Sequence, residues 1–251
     1  MKRYLDLLAD SYNNPAFIEL DPISIPHRYS LKEDREIAGF LTAVISWGNR
    51  SSILKSANKM LLPMGESPYS FIMEHSESDL QRLEGFVHRT FNFWDLITFI
   101  EALKRLYSQE KGLEGIFLKY KSKESLQPAI HHLKREFFSI PHLERSRKHL
   151  PDPLSGSAAK RINMFLRWMV RVDSKGVDFG IWRGISPSIL SCPLDIHSGT
   201  VARRLGLLTR KANDAKAVAQ LDKVLREFDP VDPVKYDFAL FGEGVSKKLN
   251  G

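Results

Sequence analysis

Two short stretches of the chain carry side chains that could do chemistry together. Residues 154–160, Leu-Ser-Gly-Ser-Ala-Ala-Lys, end in Lys160, and residues 193–197, Pro-Leu-Asp-Ile-His, centre on Asp195. A lysine amine is a nucleophile when it is neutral, although its reference pKa is about 10.4. A carboxylate can stabilise a developing cation or carry a proton. This pair of residue types therefore suits covalent catalysis by an amine with acid–base assistance.

Both side chains are predicted to lie at the start of a helix. Lys160 falls in the first turn of a helix predicted over 158–170, where the positive end of the helix dipole disfavours an ammonium group. Asp195 is a natural N-cap for a helix predicted over 196–205, a role worth about 1 kcal/mol. A cap that also lines a cleft would hold its carboxylate in place for chemistry. The alternatives are a solvated lysine and an aspartate that only caps.

Helical periodicity dominates the rest of the chain, and no segment shows sustained strand alternation. The sequence therefore predicts an all-α fold, with residues 1–251 forming a single unit of two interleaved helical lobes. A capping box is predicted at Ser30-Leu31-Lys32-Glu33, and Ser51 or Ser52 is predicted to cap the next helix. Asn213 is predicted to cap the helix over 214–228. The stretch from Asp173 to Pro193 is expected to hold only short structure.

Composition limits the classes of function. Lys and Arg number 37 against 30 Asp and Glu, a formal charge of +7 that fits a polyanionic partner but is common among other proteins. The single cysteine, Cys192, excludes an internal disulfide, a Cys-ligated iron–sulfur cluster and a multi-cysteine zinc site. We expect no metal and no cofactor. With no signal peptide and no apolar run long enough for a membrane span, we expect a cytoplasmic protein.

The two stretches together resemble motifs of the helix-hairpin-helix DNA glycosylase superfamily, which includes endonuclease III and the 8-oxoguanine glycosylases. Residues 154–160 resemble its L-P-G-V-G-x-K hairpin, and residues 193–207 resemble its V-D-T-H-like segment with the helix that follows. Residues 37–64 are similar to its helix–loop–helix, and residues 236–244 to its last core helix. The likeness covers about 37–244 and implies a two-lobed glycosylase fold.

The chain departs from the superfamily pattern at several points. Ser155 stands where the hairpin has proline, and Ala158 where it has the second glycine, so the hairpin is degenerate. The interval from Lys160 to Asp195, 195 − 160 = 35 residues, is longer than in endonuclease III and resembles the archaeal 8-oxoguanine glycosylases. The four-cysteine cluster is absent. The resemblance therefore indicates a bacterial branch without the cluster, whose substrate base is open.

The resemblance implies base-excision chemistry on double-stranded DNA that carries a damaged, for example oxidised, base. Lys160 would attack the sugar C1′ as the base departs, giving a Schiff base and optional AP-lyase cleavage, with Asp195 assisting. The target base must leave the stack, and the turn of residues 47–50 would fill the gap. Asn49 and Arg50 are the residues of that turn expected to touch DNA. We expect the protein to act as a monomer.

Further contacts are expected on weaker grounds. Backbone N–H groups of Gly156, Ser157 and Ala158 at a helix start would suit a phosphate. Arg161, Arg203, Lys247 and Lys248 could add positive charge there. Trp47, Trp182 and His197 are candidates for a base pocket, although packing is the commoner role for Trp47 and His197 and an equal alternative for Trp182.

Two other functional classes remain open from the sequence. A non-catalytic nucleic-acid-binding protein would keep the scaffold and lose the chemistry, which the degenerate hairpin favours. A helical protein–protein adaptor would have no phosphate contacts at all. Retention of Lys160 and Asp195 in register favours the enzyme.

Overall fold

A computed structural model of the chain describes residues 1–172 and 174–249, with only the backbone of 245–249. The described residues are predominantly helical, with one two-stranded sheet, which confirms the predicted all-α class. The helices are α1 (Lys2–Tyr12), α2 (Ala16–Leu20), α3 (Lys32–Val44), α4 (Arg50–Leu61), α5 (Pro68–Glu74), α6 (Glu77–Gln81), α7 (Phe93–Gln109), α8 (Gly112–Tyr120), α9 (Gln127–Phe137), α10 (Lys160–Val170), α11 (Ile196–Arg204), α12 (Ala215–Phe228) and α13 (Tyr236–Leu249).

The described residues include one small sheet, which lies between α6 and α7 in the chain. Strands β1 (Val87–His88) and β2 (Phe91–Asn92) pair antiparallel, with Val87 opposite Asn92 and His88 opposite Phe91. Two residues per strand are too few to show the alternation by which strands are found in a sequence. No helix of the described chain is both long and apolar enough to cross a membrane.

The chain divides into two compact units. Unit 1 comprises residues 1–18, 121–130 and 151–251, and unit 2 comprises residues 19–120 and 131–150. Each is therefore assembled from segments that lie far apart in the sequence.

Unit 1 is organised around its last helix. Both α1 and α11 pack against α13, and Leu5 of α1 and Leu240 of α13 are completely buried. Helix α10 buries every residue from Ile162 to Val170, among them Trp168. The chain after α10 returns along it, because the N–H of Phe179 donates to the Trp168 carbonyl. The expectation of only short structure there is met by one 3₁₀ turn, Pro187–Ile189, although Asp173 lies outside the described residues.

Unit 2 is built around an aromatic core. Phe99 of α7 contacts Phe91 at 5.1 Å between ring centroids and Phe137 at 4.6 Å, and all three are completely buried. Phe40 of α3 packs on Phe137 at 5.7 Å. Edge-to-face and tilted ring pairs such as these add to the free energy of area burial. This core fixes the positions of α3, α7 and the end of α9 within unit 2.

Three predicted helix caps were wrong by one to three residues. Leu31, not Ser30, is the N-cap of α3, and it makes no side-chain capping bond. Asn49 caps α4 by accepting from the N–H groups of Ser51 and Ser52, the two residues expected to act as caps. Asp214 rather than Asn213 caps α12. For α4 and α12, a neighbouring Asn or Asp side chain accepts from the N–H groups of the second or third helical residue instead of the predicted cap. The sequence alone does not determine which of the neighbouring polar residues takes this role.

Candidate functional site

The hairpin before Lys160 is a 3₁₀ turn followed by two left-handed residues. The turn, Pro153–Ser155, is capped by Asp152, and Gly156 and Ala159 then adopt φ values of 95° and 47°. Glycine reaches this region freely, whereas alanine rarely does. The first arm of the predicted helix-hairpin-helix is therefore reduced to a single turn, and Lys160 is the first residue of α10.

Side chains from the helices hold this hairpin in place. The Ser157 hydroxyl accepts from the Ala159 N–H at 3.1 Å, and the Asn163 amide donates to the Ala158 carbonyl at 3.0 Å. Gln127 of α9 donates in turn to the Asn163 side chain at 2.9 Å. The backbone leading into Lys160 is thus tied to α9 and to the buried face of α10.

Asp195 is the N-cap of α11 and forms a capping box with Ser198. Its Oδ1 accepts from the Ser198 N–H at 3.0 Å, while the Ser198 hydroxyl accepts from the Asp195 N–H at 2.9 Å. The cap satisfies donors at the helix start and orients the carboxylate. One oxygen of Asp195 is therefore committed to the helix.

The other oxygen of Asp195 faces Lys160. Lys160 Nζ lies 3.8 Å from Asp195 Oδ2, and the two side chains are 28% and 23% exposed. The pair is thus partly buried yet open to solvent, as a group that must reach a large substrate has to be. Two helix N-termini, those of α10 and α11, bring the amine and the carboxylate together across 35 residues of sequence.

Asp195 is also supported by hydrogen bonds from Asn213 and, through it, Arg203, which the sequence did not reveal. The Asn213 amide donates to the Asp195 carbonyl at 2.8 Å, and Arg203 donates to Asn213 Oδ1 at 2.5 Å. Gly199 makes this approach possible, because a Cβ there would lie 2.7 Å from Asn213 Oδ1. Asn213 is 18 residues beyond Asp195, and no periodicity links the two.

Arg203 is used differently from the expectation of a DNA contact. Its guanidinium donates to the carbonyls of Arg210 and Ala212 as well as to Asn213, so it binds the loop that precedes α12. Arg161 is half-buried, and burial lowers the pKa of its guanidinium to about 10. Both arginines are therefore less available to a phosphate than solvated side chains would be.

The predicted phosphate-binding N–H groups are also partly occupied. The Gly156 N–H donates to the Pro153 carbonyl, and the Ser157 N–H donates to the Asp152 carbonyl. These bonds close the 3₁₀ turn, so two of the three expected donors are used inside it. The side chains of Lys247 and Lys248 lie outside the described residues.

A buried ionic network lies in the same unit. At its centre are Arg167 of α10 and Arg171, the residue that follows α10. Arg167 pairs with Asp178 at 3.2 Å and with Asp237, and Arg171 pairs with Asp178 at 3.1 Å. Burial raises the pKa of Asp237 to about 6 despite the opposing charge of Arg167, and the charge of Asp195 acts in the same direction as burial. The charge of Lys160 acts in the opposite direction, so the two members of the candidate pair have opposing effects on the pKa of Asp237.

The three candidates for a base pocket lie in different surroundings. Trp182 is completely buried and meets Phe165 edge-on at 5.4 Å, which is the core position offered as its alternative. His197 follows Asp195 on α11 and contacts Phe241 of α13 at 6.4 Å. Trp47 belongs to unit 2, where its ring lies 5.8 Å from His149 and 5.2 Å from His88.

The turn of residues 47–50 connects α3 to α4 in unit 2. Gly48 has a φ of 102°. Asn49 has an extended backbone, and its side chain caps α4. Asn49 is exposed and Arg50, the first residue of α4, is half-buried. The turn therefore ends in a helix cap and presents Asn49 at the surface of unit 2.

Residues 21–246 match the family described as Protein of unknown function (DUF2400). The chain belongs to the DUF2400 family. Comparison with curated proteins gave no match, and comparison with solved structures gave none. The DUF2400 match includes Lys160, Asp195 and the whole turn of residues 47–50.

Within the residues that the structure describes, this DUF2400 chain brings no three His, Cys, Asp or Glu side chains together in a way that could hold a metal ion. The candidate site also contains three side chains that the sequence analysis did not assign to it, Ser198, Asn213 and Asp237. Of those, Ser198 could have been found from the sequence, because it follows Asp195 at capping-box spacing. Asn213 and Asp237 carry no such signal.

Proposed function

We propose that this protein is a DNA base-excision glycosylase that uses Lys160 as an amine nucleophile and Asp195 as its acid–base and electrostatic partner. The observation that carries the proposal is the 3.8 Å approach of Lys160 Nζ to Asp195 Oδ2 at the facing starts of two helices. The likeness of residues 154–160 and 193–207 to the helix-hairpin-helix glycosylase motifs supports the choice of substrate.

The proposed reaction begins with loss of a proton from the Lys160 ammonium, which Asp195 Oδ2, 3.8 Å away, would accept through one intervening water. The neutral amine then forms a bond to the sugar C1′ while the C1′–base bond breaks. The base leaves with the electron pair and takes up a proton. Opening of the sugar ring gives a Schiff base, and removal of a proton from C2′ would allow strand cleavage.

The two carboxylate oxygens of Asp195 have different partners, which favours its role as the partner of Lys160 in catalysis. Oδ1 is held by the Ser198 N–H and hydroxyl, which fixes the orientation of the carboxylate. Oδ2 is left toward Lys160, where it can stabilise cationic character on the sugar. Catalytic groups held rigidly by neighbours contribute more, because less reorganisation is needed in the transition state.

The test is borohydride trapping on DNA duplexes that carry 8-oxoguanine, uracil, an alkylated base or an abasic site. Reduction of a Schiff base by borohydride leaves a stable protein–DNA adduct. We expect an adduct with the intact chain, its loss in Lys160→Gln, and a strong reduction in Asp195→Asn. The matched control is Lys216→Ala, because Lys216 is exposed in the first turn of α12 in the same unit.

Each result has a defined meaning. An adduct that persists in Lys160→Gln would show that another amine is the nucleophile and would contradict the proposal. Base release that needs Asp195 but yields no adduct would reduce the mechanism to a glycosylase without a Schiff base. Salt-dependent DNA binding with neither adduct nor base release would favour the non-catalytic nucleic-acid-binding protein.

A further inference from the structure

The tip of the β1–β2 hairpin in unit 2 contains an arginine in an unfavourable backbone conformation. Arg89 and Thr90 form the two-residue loop, and Arg89 has a φ of 54°. Such loops favour glycine or asparagine at left-handed positions, since other side chains are strained there. Strain of this kind persists where the surroundings enforce it and is concentrated at functional sites. An exposed arginine at this position therefore calls for an explanation.

Arg89 lies directly on the turn of residues 47–50. A Cβ built on Gly48 would be 2.8 Å from Arg89 Nε and 2.9 Å from Arg89 Cζ. Gly48 is itself left-handed, with a φ of 102°. The absence of a side chain at Gly48 thus provides the space for the guanidinium, and the two unusual backbone positions meet at one point.

A third segment completes the same surface of unit 2. Arg145 donates to the Thr90 carbonyl at 2.7 Å and pairs with the completely buried Asp95 at 3.1 Å, yet its side chain is 39% exposed. The ring of Trp47 contacts both His88 of β1 and His149 near Arg145. The turn, the hairpin and the segment around Arg145 therefore form one continuous face, which we call the hairpin face.

The hairpin face carries an excess of positive charge. Residues 47–52, 87–95 and 144–149 contain five Lys or Arg and two Asp or Glu, and one of those two carboxylates, that of Asp95, is completely buried. The other, Glu144, is paired with Arg147. Trp94, next to Asp95, is 62% exposed. An excess of Lys and Arg on one face is typical of surfaces that bind the phosphates of DNA.

We propose that the hairpin face binds the phosphodiester backbone of duplex DNA, with Arg89 as a principal phosphate contact. The proposal rests on the proposed function for its choice of DNA as partner. A planar guanidinium can bind two phosphate oxygens at once, which an ammonium group cannot. The strain at Arg89 and the lack of a side chain at Gly48 then have one cause, the placement of that guanidinium beside Asn49 and Arg50.

The test separates strain from binding. Arg89→Gly and Arg89→Asn remove the guanidinium and replace it with residues suited to a positive φ. We expect both variants to melt at a higher temperature than the intact chain and yet to bind duplex DNA about 3- to 10-fold more weakly at fixed salt. The slope of log K against log salt should fall by about 1, as for one lost phosphate contact.

Arg135→Ala is the matched control, since Arg135 is an exposed arginine on α9, outside the hairpin face. Unchanged DNA binding in both Arg89 variants would overturn the proposal, and so would an equal loss in Arg135→Ala. A lower melting temperature in both Arg89 variants would assign Arg89 to folding and would also overturn it.

The outcome is distinguishable from that of the glycosylase test. Salt-dependent DNA binding that needs Arg89, without base release from any duplex, would sustain the hairpin face and refute the glycosylase. Base release, together with DNA binding that does not depend on Arg89, would sustain the glycosylase and refute the hairpin face. A chain that binds no duplex DNA at all would refute both.

Discussion

The Lys160–Asp195 pair and the turn of residues 47–50 are held by different kinds of contact. Asp195 is oriented by Ser198, three residues away, and Lys160 by its place as the first residue of α10. Trp47 of the turn is instead held by His88 and His149, which come from distant parts of the chain. The candidate chemistry thus relies largely on local helix-start geometry, whereas the hairpin face relies on tertiary packing.

The comparison predicts that the turn is the more vulnerable of the two regions. Asp95 accepts from the Ser146 hydroxyl at 2.6 Å and pairs with Arg145 and His149, and its own side chain is completely buried. It also closes the capping box of α7 with Asn92. A single carboxylate therefore joins residues 145–149, which include the His149 that contacts Trp47, to the start of α7.

The largest expected effect is that of Asp95→Ala. The substitution leaves the buried Ser146 hydroxyl without its acceptor and removes the capping box of α7, so we expect a loss of about 3–5 kcal/mol in the free energy of unfolding. Urea denaturation measures it. Asp79→Ala, which breaks the exposed capping box of α6, is the control and should cost far less. Equal losses would mean that the turn does not depend on buried tertiary contacts.

A smaller effect is expected from pH at the segment that leads into Asp195. The buried Asp222 carboxylate accepts from the Cys192 N–H at 2.9 Å, and burial raises the pKa of Asp222 to about 6. Between about pH 4 and pH 6 the folded state keeps this proton while the unfolded state has lost it. The free energy of unfolding should therefore fall as the pH rises through that window, by up to about 3 kcal/mol for a shift of this size.

The corresponding variant is Asp222→Asn, which keeps an acceptor for Cys192 and removes the titration. We expect it to flatten part of the pH dependence and to be more stable than the intact chain above pH 7. Urea denaturation from pH 4 to pH 8 measures both. A residual slope is expected from Asp237, whose pKa is raised in the same direction. An unchanged curve would count against Asp222 as a source of that pH dependence.

The smallest effect is expected from Ser198→Ala. The variant keeps the N–H that binds Asp195 Oδ1 but loses the hydroxyl, at a cost of about 1 kcal/mol. Because the carboxylate is less well oriented, trapping should slow about 3- to 10-fold. Thr200→Ala is the control, since it removes an exposed hydroxyl from the same helix. Equal trapping rates in the two variants would show that the capping box does not position Asp195 for the chemistry.

The sequence predicted the elements whose signals are local. The helices over 196–205 and 214–228 were placed to within a residue, because a polar cap residue and a clear apolar stripe mark each one, although Asp214 rather than the predicted Asn213 caps the second. Helix α1 was missed, since its buried residues Leu5 and Ala9 are too few to give a stripe by themselves. The two-residue strands were equally invisible.

The same distinction applies to the candidate site. Lys160 and Asp195 were found by motif, and the structure brings them within 3.8 Å. The support from Asn213 and the internal use of Arg203 could not be foreseen, because both depend on how the loop before α12 folds back. Arg89 was not singled out as a DNA contact, since only its positive φ and its approach to Gly48 distinguish it from other surface arginines.

The interleaved order of the two units has a consequence for synthesis of the chain. Helix α1 packs on α13, which begins 236 − 12 = 224 residues after α1 ends. At ribosomal rates of about 5–20 residues per second, α1 waits roughly 10–45 s for its partner. All of unit 2 leaves the ribosome during that wait. The nascent protein must therefore keep the apolar face of α1, with Leu5 at its centre, from premature association until the last helix is made.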